Sequence, residues 1–422
     1  MILFSMIVYL GCYTDETHPN GLKALQLDEK SGAMAIVAEY PVPNALYQAL
    51  SPDGKWLYSC SGEGLAAFDV SREPREGFLA CRTGESGEFP SCLSCTSCLK
   101  LSAALREPLA LDLCHIAAMP DGKRVVFADY RNGFAGSVAV EGGRFGEPII
   151  HRHSGSGPNL PRQDKAHCHQ ALPLPDGSGY AVCDLGLDEI VEYPSGRIFK
   201  TTPAGAGPRH LLFHPNGRLA FLVSELGNFV SSLAWSPADG FRTLDTLSTI
   251  ISQKPQESFK QGVQERQENN SPASPVLHAK NLCACAPPRE TNPVLNTDSS
   301  RLAAAIRFTP DMKRIVVSNR GENSLVVFDF DEATGRLAFK ARTHLPGDWP
   351  RDFVFVSSTL AIVAMERSGE VHALRYDADT GAFARLSTLS GLFRPVALTV
   401  CPAAASAFGH GAFDKTPAYH EL

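Results

Sequence analysis

One short turn recurs along this chain and limits what the chain can fold into. An apolar run enters Pro-Asp-Gly or a close variant, and a second apolar run leaves it, in SPDGKWLYSC from Ser51, MPDGKRVVFADY from Met119, LPDGSGYAVCDL from Leu174, HPNGRLAFLVSEL from His214 and TPDMKRIVVSNR from Thr309. Proline presets φ, and Asp or Asn followed by Gly supplies the turn and its left-handed residue, so each copy reads as a tight hairpin. A worn sixth copy, FVSSTLAIVAMERSGEVHAL from Phe355, lacks the Pro-Asp-Gly. Most copies continue into a third strand and a loop, clearest in GENSLVVFDFDEATGRLAF and GEVHALRYDADTGAFARL, which makes four-stranded units. Propeller blades recur every ~40–50 residues. The turn prolines Pro52, Pro120, Pro175, Pro215 and Pro310 keep roughly that spacing except across two overlong gaps. A seventh unit forms if the N-terminal runs, Ile2 to Cys12 and LKALQLDEKSGAM, pair with the C-terminal RPVALTVCP. Closure of that kind leaves no sheet edge free. The expectation is an all-β, seven-bladed β-propeller with four-stranded blades, a single domain over residues 1–422 whose N- and C-terminal strands close the ring.

The overlong gaps differ in composition from the blades. Residues 84–112 contain GESGEFPSCLSCTSCLKLSAALREP, and residues 252–299 are rich in Gln, Glu, Asn, Ser and Pro and poor in aromatics. Both read as loop insertions of low order lying outside the ring. Cys92, Cys95 and Cys98 have ligand-like spacing, and Cys283 and Cys285 could be imagined beside them. A structural zinc needs four ligands in two well-spaced pairs, which this pattern does not supply, so neither a metal nor any other cofactor is expected. Other cysteines stand singly in apolar runs, as Cys60, Cys183 and Cys401 do, which suits a reducing cytoplasm. The apolar opening MILFSMIVYL has no basic residue ahead of it and is too short to span a bilayer, so it reads as a buried β-strand. Net charge is −6, with Lys and Arg spread throughout, so neither nucleic acid nor a membrane surface is an expected partner. A small molecule is expected instead, and the oligomeric state stays open.

Hairpin geometry then gathers a set of polar residues. With a turn at Pro215-Asn216, Leu212 faces Leu219, Arg209 lies near Leu222, and Arg209 and Glu225 emerge together opposite the turn. The same geometry places His167 and His169, from AHCHQALPLPDG, with Asp184 on the preceding blade, Arg320 on the following blade and Arg351 on the next. Blades point one way, so two imidazoles, a carboxylate and three guanidiniums are expected around one mouth of the channel. Their spacing of two puts His167 and His169 on one face of a strand. The acids at the strand exits, Asp129, Asp184 and Glu366, read as partners for neighbouring loops.

These residues resemble a known family. GPRHLLFHPNGRLAFLVSELGNFV, PRQDKAHCHQALPLPDG, AAAIRFTPDMKRIVVSNRGENSLVVFD and WPRDF are similar to segments of the seven-bladed propeller lactonases, which include 6-phosphogluconolactonases of the cycloisomerase-2 type and fungal 3-carboxy-cis,cis-muconate cyclases. For the muconate enzymes the family's proposed site is a His, an Arg, a Glu and an Arg. The resemblance carries these to His169, Arg209, Glu225 and Arg320 as catalytic residues, with His167, His210 and Arg351 as substrate contacts. It implies a small anionic lactone as substrate, most readily 6-phosphogluconolactone hydrolysed to 6-phosphogluconate. Closure of carboxymuconate by an intramolecular lyase and a non-catalytic binding propeller are the alternatives. Guanidiniums suit an anionic ester, and either Glu225 or His169 would serve as general base on water. The chain departs from the family's turn at Met312, where Gly is usual.

Overall fold

The computed structural model describes residues 5–70, 95–100, 111–251 and 300–401. The described residues form seven four-stranded antiparallel sheets. Strands are numbered in chain order, and each sheet is ordered from the axis of the ring outward. The inner strands are β4 (Gln48–Leu50), β8 (Leu113–Ala118), β12 (Cys168–Pro173), β16 (Pro208–Phe213), β20 (Leu302–Phe308), β24 (Pro350–Phe355) and β28 (Pro395–Cys401). Closure follows the expected route. The C-terminal strand β28 pairs with β1 (Ser5–Cys12), which continues into β2 (Leu22–Asp28) and β3 (Met34–Tyr40). No helix among the described residues is long and apolar enough to cross a membrane.

Each hairpin turn closes as its sequence dictates. The amides of Gly54, Gly122, Gly177 and Gly217 bond back to the carbonyls of Ser51, Met119, Leu174 and His214, with φ between 66° and 71°. Met312 makes the same bond to Thr309 and takes φ 58°, a left-handed conformation that a side chain with Cβ resists. The cores lie between blades, because every middle strand buries both faces. Leu172, Ala181, Cys183 and Ile190 of the fourth sheet pack on Leu211, Phe213, Leu222 and Trp235 of the fifth. Phe221 and Val223 of the fifth sheet then pack on Ile315, Val317 and Phe328 of the sixth. Each fully buried side chain of this kind contributes roughly 1.5–3 kcal/mol.

Two expectations are corrected. Residues 84–112 do not lie wholly outside the ring, since β7 (Cys95–Lys100) is the outermost strand of the second blade, paired with β6 (Gly64–Asp69). A six-residue edge strand has too little pattern to stand out from a Cys- and Ser-rich surround. Cys95 and Cys98 therefore belong to a strand, while Cys92, Cys283, Cys285 and the second segment, 252–299, lie outside the described residues. The hairpin register also differs. Leu212 pairs with Phe221 and Leu211 with Leu222, because the turn spans His214 to Leu219 rather than two residues.

Candidate active site

A bulge recurs on the inner strands. On β16, Pro208 pairs with Ser224 and His210 with Val223, so Arg209 has no partner across the ladder. The same two-against-one step frees Cys114 on β8, His169 on β12, Arg351 on β24 and Val396 on β28, and on β20 it sets Ala304 and Ala305 against one residue. Bulges bend a strand and re-aim the extra side chain, a common device beside active sites. His169, Arg209 and Arg351 are therefore presented by one backbone device on three blades. The bulge also breaks the simple alternation that placed His167 and His169 together. β12 begins at Cys168, and His167 lies in the preceding loop.

A second position lies at the end of the next strand outward. Asp129, Asp184 and Asn319 sit within the ladders of β9 (Arg124–Asp129), β13 (Tyr180–Asp184) and β21 (Arg314–Arg320) and are spent on loops. Asp129 accepts the amides of Asp112 and Asn132, and Asp184 those of His167, Gly186 and Leu187. Asn319 donates to the carbonyl of Thr249. Residues at or just past the ends of these second strands serve the site instead: Tyr130 lies edge-on to His169, Glu225, after Ser224, pairs with Arg209 and Arg320, and Glu366, after Met365, pairs with Arg351. The loop-partner reading thus holds for Asp129 and Asp184, whereas Glu366 pairs with arginines.

Glu225 is the hub. Its carboxylate lies 3.1 Å from Arg209 Nε, 3.0 Å from an Arg320 terminal nitrogen, 2.6 Å from one of Arg162 and 3.7 Å from His169 Nε2. Glu225, Arg209, Arg320 and His169 are all at least 95% buried, while the Arg162 side chain, 34% exposed, covers them from the outside. Burial pushes the Glu225 carboxyl up, but Arg320, Arg162, His169 and Arg209 outweigh it and hold the group well below the usual carboxylate range. Burial, and then Arg320, brings Arg209 down to about 9. His169 is held well below its ordinary value, first by burial and then by Arg209. It is a neutral imidazole, and its Nδ1 meets no hydrogen-bond partner although buried. Arg209 is further fixed by the Ala304 carbonyl of the adjoining blade, and Arg320 by the Ala303 carbonyl of its own. Three cations against one carboxylate leave the cluster positive, which suits an anion with a reactive carbonyl.

The remaining expected residues divide. Arg351 belongs to a second ion-paired group, 3.0 Å from Glu366, to which Arg394 also binds. His167 is tied at both nitrogens, to the Tyr130 carbonyl at 2.9 Å and to Asp164 at 3.0 Å, and stacks on Tyr130. His210 lies deeper, 98% buried, with Nδ1 3.2 Å from Arg209 and its ring against His115 and Tyr47. Its Nδ1 thus touches the Arg209 guanidinium. Sequence reasoning missed Arg162 and Tyr130, whose hydroxyl Arg162 reaches at 3.0 Å. Tyr130 could have been found by aligning the strand exits one residue further on. Arg162 sits in the PRQDKAHCHQ loop, held there by Gln163, which bonds Leu185, Asp188 and Asn159. His153, Cys168 and Asp184 bring possible metal-ligand atoms within 4.8 Å of one another. Both His153 nitrogens are already bonded, to Asp184 and Tyr193, and burial drives the Cys168 thiol well above its ordinary value. That trio reads as a buried hydrogen-bonded unit.

Comparison with known proteins agrees with this architecture. A family model described as lactonase, 7-bladed beta-propeller, matches residues 7–399. A 6-phosphogluconolactonase of Bacillus subtilis is 27% identical over 407 residues, covering 92% of this chain and 97% of the relative. A second 6-phosphogluconolactonase, from Formosa agariphila, is 24% identical over 90% of this chain and 95% of its own length. The solved periplasmic gluconolactonase of Pseudomonas aeruginosa shares the fold with a TM-score of 0.69 at 21% identity, over 94% of this chain and 99% of that one.

Proposed function

The chain belongs to the lactonase family of seven-bladed β-propellers, and from that premise we propose that it hydrolyses an anionic sugar lactone, 6-phosphogluconolactone, to the open acid. The observation that carries the reading is Glu225, a buried carboxylate held between three guanidiniums beside a neutral imidazole with a free nitrogen. A carboxylate so strongly stabilised is a weak base. We assign the base to His169, whose Nε2 lies 3.7 Å from the Glu225 carboxylate. With Nε2 turned to Glu225, Nδ1 carries the lone pair and has no other protein partner.

In this reading His169 takes a proton as water adds to the lactone carbonyl carbon. The oxyanion that forms is stabilised by Arg209 and Arg320, whose places are already set by the Ala303 and Ala304 carbonyls. Collapse breaks the bond to the ring oxygen, which takes the proton back from His169. Water is thus divided between the new carboxylic acid and the released hydroxyl. Arg351, in the separate Glu366 group, faces the substrate's anionic arm. A phosphorylated sugar and the buried thiols of Cys12, Cys114, Cys168 and Cys183, none of them in a disulfide, fit a cytoplasmic setting in carbohydrate metabolism.

Hydrolysis of freshly made 6-phosphogluconolactone, corrected for spontaneous opening and run beside 3-carboxy-cis,cis-muconate, tests the proposal. Enzyme-dependent acid release from the lactone is expected. Turnover of the muconate alone, or of neither compound, overturns it.

A further inference from the structure

A second polar group sits on the arc of the mouth beyond Arg320, and the chemistry described so far leaves most of it unused. Arg351 is the bulged residue of β24, and its Nη1 lies 3.0 Å from Glu366. Arg394, from the loop before β28, holds the other oxygen of Glu366 through Nε and a terminal nitrogen. Both guanidiniums also lie over one ring, that of Tyr13, at 3.9 Å for Arg394 and 5.6 Å for Arg351. Glu366 and Tyr13 thus hold two forks side by side, and two cations against one carboxylate leave the pair positive. Burial pushes Glu366 up, but Arg351 and Arg394 outweigh it, so its charge is kept.

The pair is within reach of solvent and built under strain. The Arg394 side chain is 48% exposed and that of Arg351 18%. Arg394 holds φ 44° and Trp349, two residues before Arg351, holds φ 72°, both left-handed conformations that residues with Cβ avoid. Trp349 is buried between Arg320, 5.6 Å from its ring centroid, and Arg367, 3.3 Å from it. Strain of this kind collects at ligand clamps.

We propose that Arg351 and Arg394, clamped by Glu366 over Tyr13, form a seat for a phosphate monoester and make Arg394 the residue that selects phosphorylated over unphosphorylated lactones. This rests on the lactonase reading and adds the substrate's far end to it. A phosphate presents three oxygens to the donors that the two guanidiniums do not spend on Glu366, which a neutral hydroxymethyl arm cannot do. Charged hydrogen bonds of this type carry about 1.5–3 kcal/mol, so losing the Arg394 fork weakens the phosphorylated ligand about 10–100-fold.

The test compares wild type with Arg394→Gln and Arg394→Lys on 6-phosphogluconolactone and gluconolactone, and by calorimetric titration with the stable products 6-phosphogluconate and gluconate. Expected for Arg394→Gln are a KM raised about 10–100-fold for the phosphorylated lactone with kcat little changed, an unchanged KM for gluconolactone, and a matching loss of 6-phosphogluconate affinity. Arg394→Lys recovers part of it. Equal losses on both lactones, or 6-phosphogluconate bound no better than gluconate by wild type, overturn the proposal. If wild type hydrolyses neither lactone, the lactonase reading fails, and the product titrations still decide the seat.

Discussion

Replacing Glu225 by Gln separates the charge of the hub from its shape. Gln keeps the volume and one carbonyl acceptor, yet it carries no charge and turns an amide N–H toward at least one arginine. Arg209 and Arg320, 3% and 5% exposed, would then be buried cations without their counter-ion. Removing one partner of a buried pair costs about 3–5 kcal/mol. Arg162 is a third exposed and adds little to that figure. At roughly 1 °C per kcal/mol for a chain of this length, the unfolding midpoint should fall by roughly 3–6 °C. The pH dependence gives a second handle. The folded Glu225 is held below its unfolded value, about 4.3, so its contribution is full above that pH and is lost as pH falls through the folded value. Scanning calorimetry from pH 4 to 8 should therefore show a gap between wild type and variant that is constant above pH 6 and shrinks only in acid. A midpoint within a degree of wild type at pH 7, or a gap that widens on acidification, would refute the hub as drawn.

Three further outcomes are expected. Arg209→Ala should cost ~10²–10³ in kcat through the lost oxyanion donor, and Arg209→Lys should recover little because an ammonium does not reproduce the fork, as steady-state kinetics will show. The profile of kcat/KM should be flat from pH 6 to 8 and fall only in acid, because the His169 base is depressed below its ordinary value and so stays unprotonated there; an inflection near 7 would point to another base. Met312→Gly should stabilise the fold by about 0.5–1 kcal/mol in urea titration, since relief of the left-handed strain, about 1–2 kcal/mol, exceeds the entropy that glycine adds to the unfolded chain.

Much of the ring was legible because its turns are written in residues with few conformational options. Gly54, Gly122, Gly177 and Gly217 each take the backbone that their position in Pro-Asp/Asn-Gly demands, and the closing strand showed itself as an unpartnered β-forming run at each end. The edge strand Cys95–Lys100 was hidden, since an outer strand buries little and needs little pattern. At the site, His169, Arg209, Glu225 and Arg320 were legible from resemblance and from hairpin geometry, although the register behind that geometry was off by two residues. The division of the expected cluster into two ion-paired groups was not. A bulge leaves no mark in the alternation of apolar residues, so the separation of Arg351 from the Glu225 hub could not be read. Arg162 and Arg394 come from loops, whose courses are set by contacts such as Gln163 to Asp188 and Tyr13 to the Arg394 carbonyl. Those contacts join residues far apart in sequence.

The bulges on the inner strands also bear on how such a ring could change its chemistry. An unpaired residue owes nothing to the ladder on either side of it, so its identity can be exchanged while every neighbouring backbone bond stays in place. Cys114 and Ala304 occupy on their own blades the step that His169, Arg209 and Arg351 occupy on theirs. The scaffold thus behaves as a ring of replaceable sockets, in which a new acid, base or cation is one codon away and its direction of approach is already set. Diversification within such a ring should therefore concentrate at these steps, with the hairpins left nearly untouched.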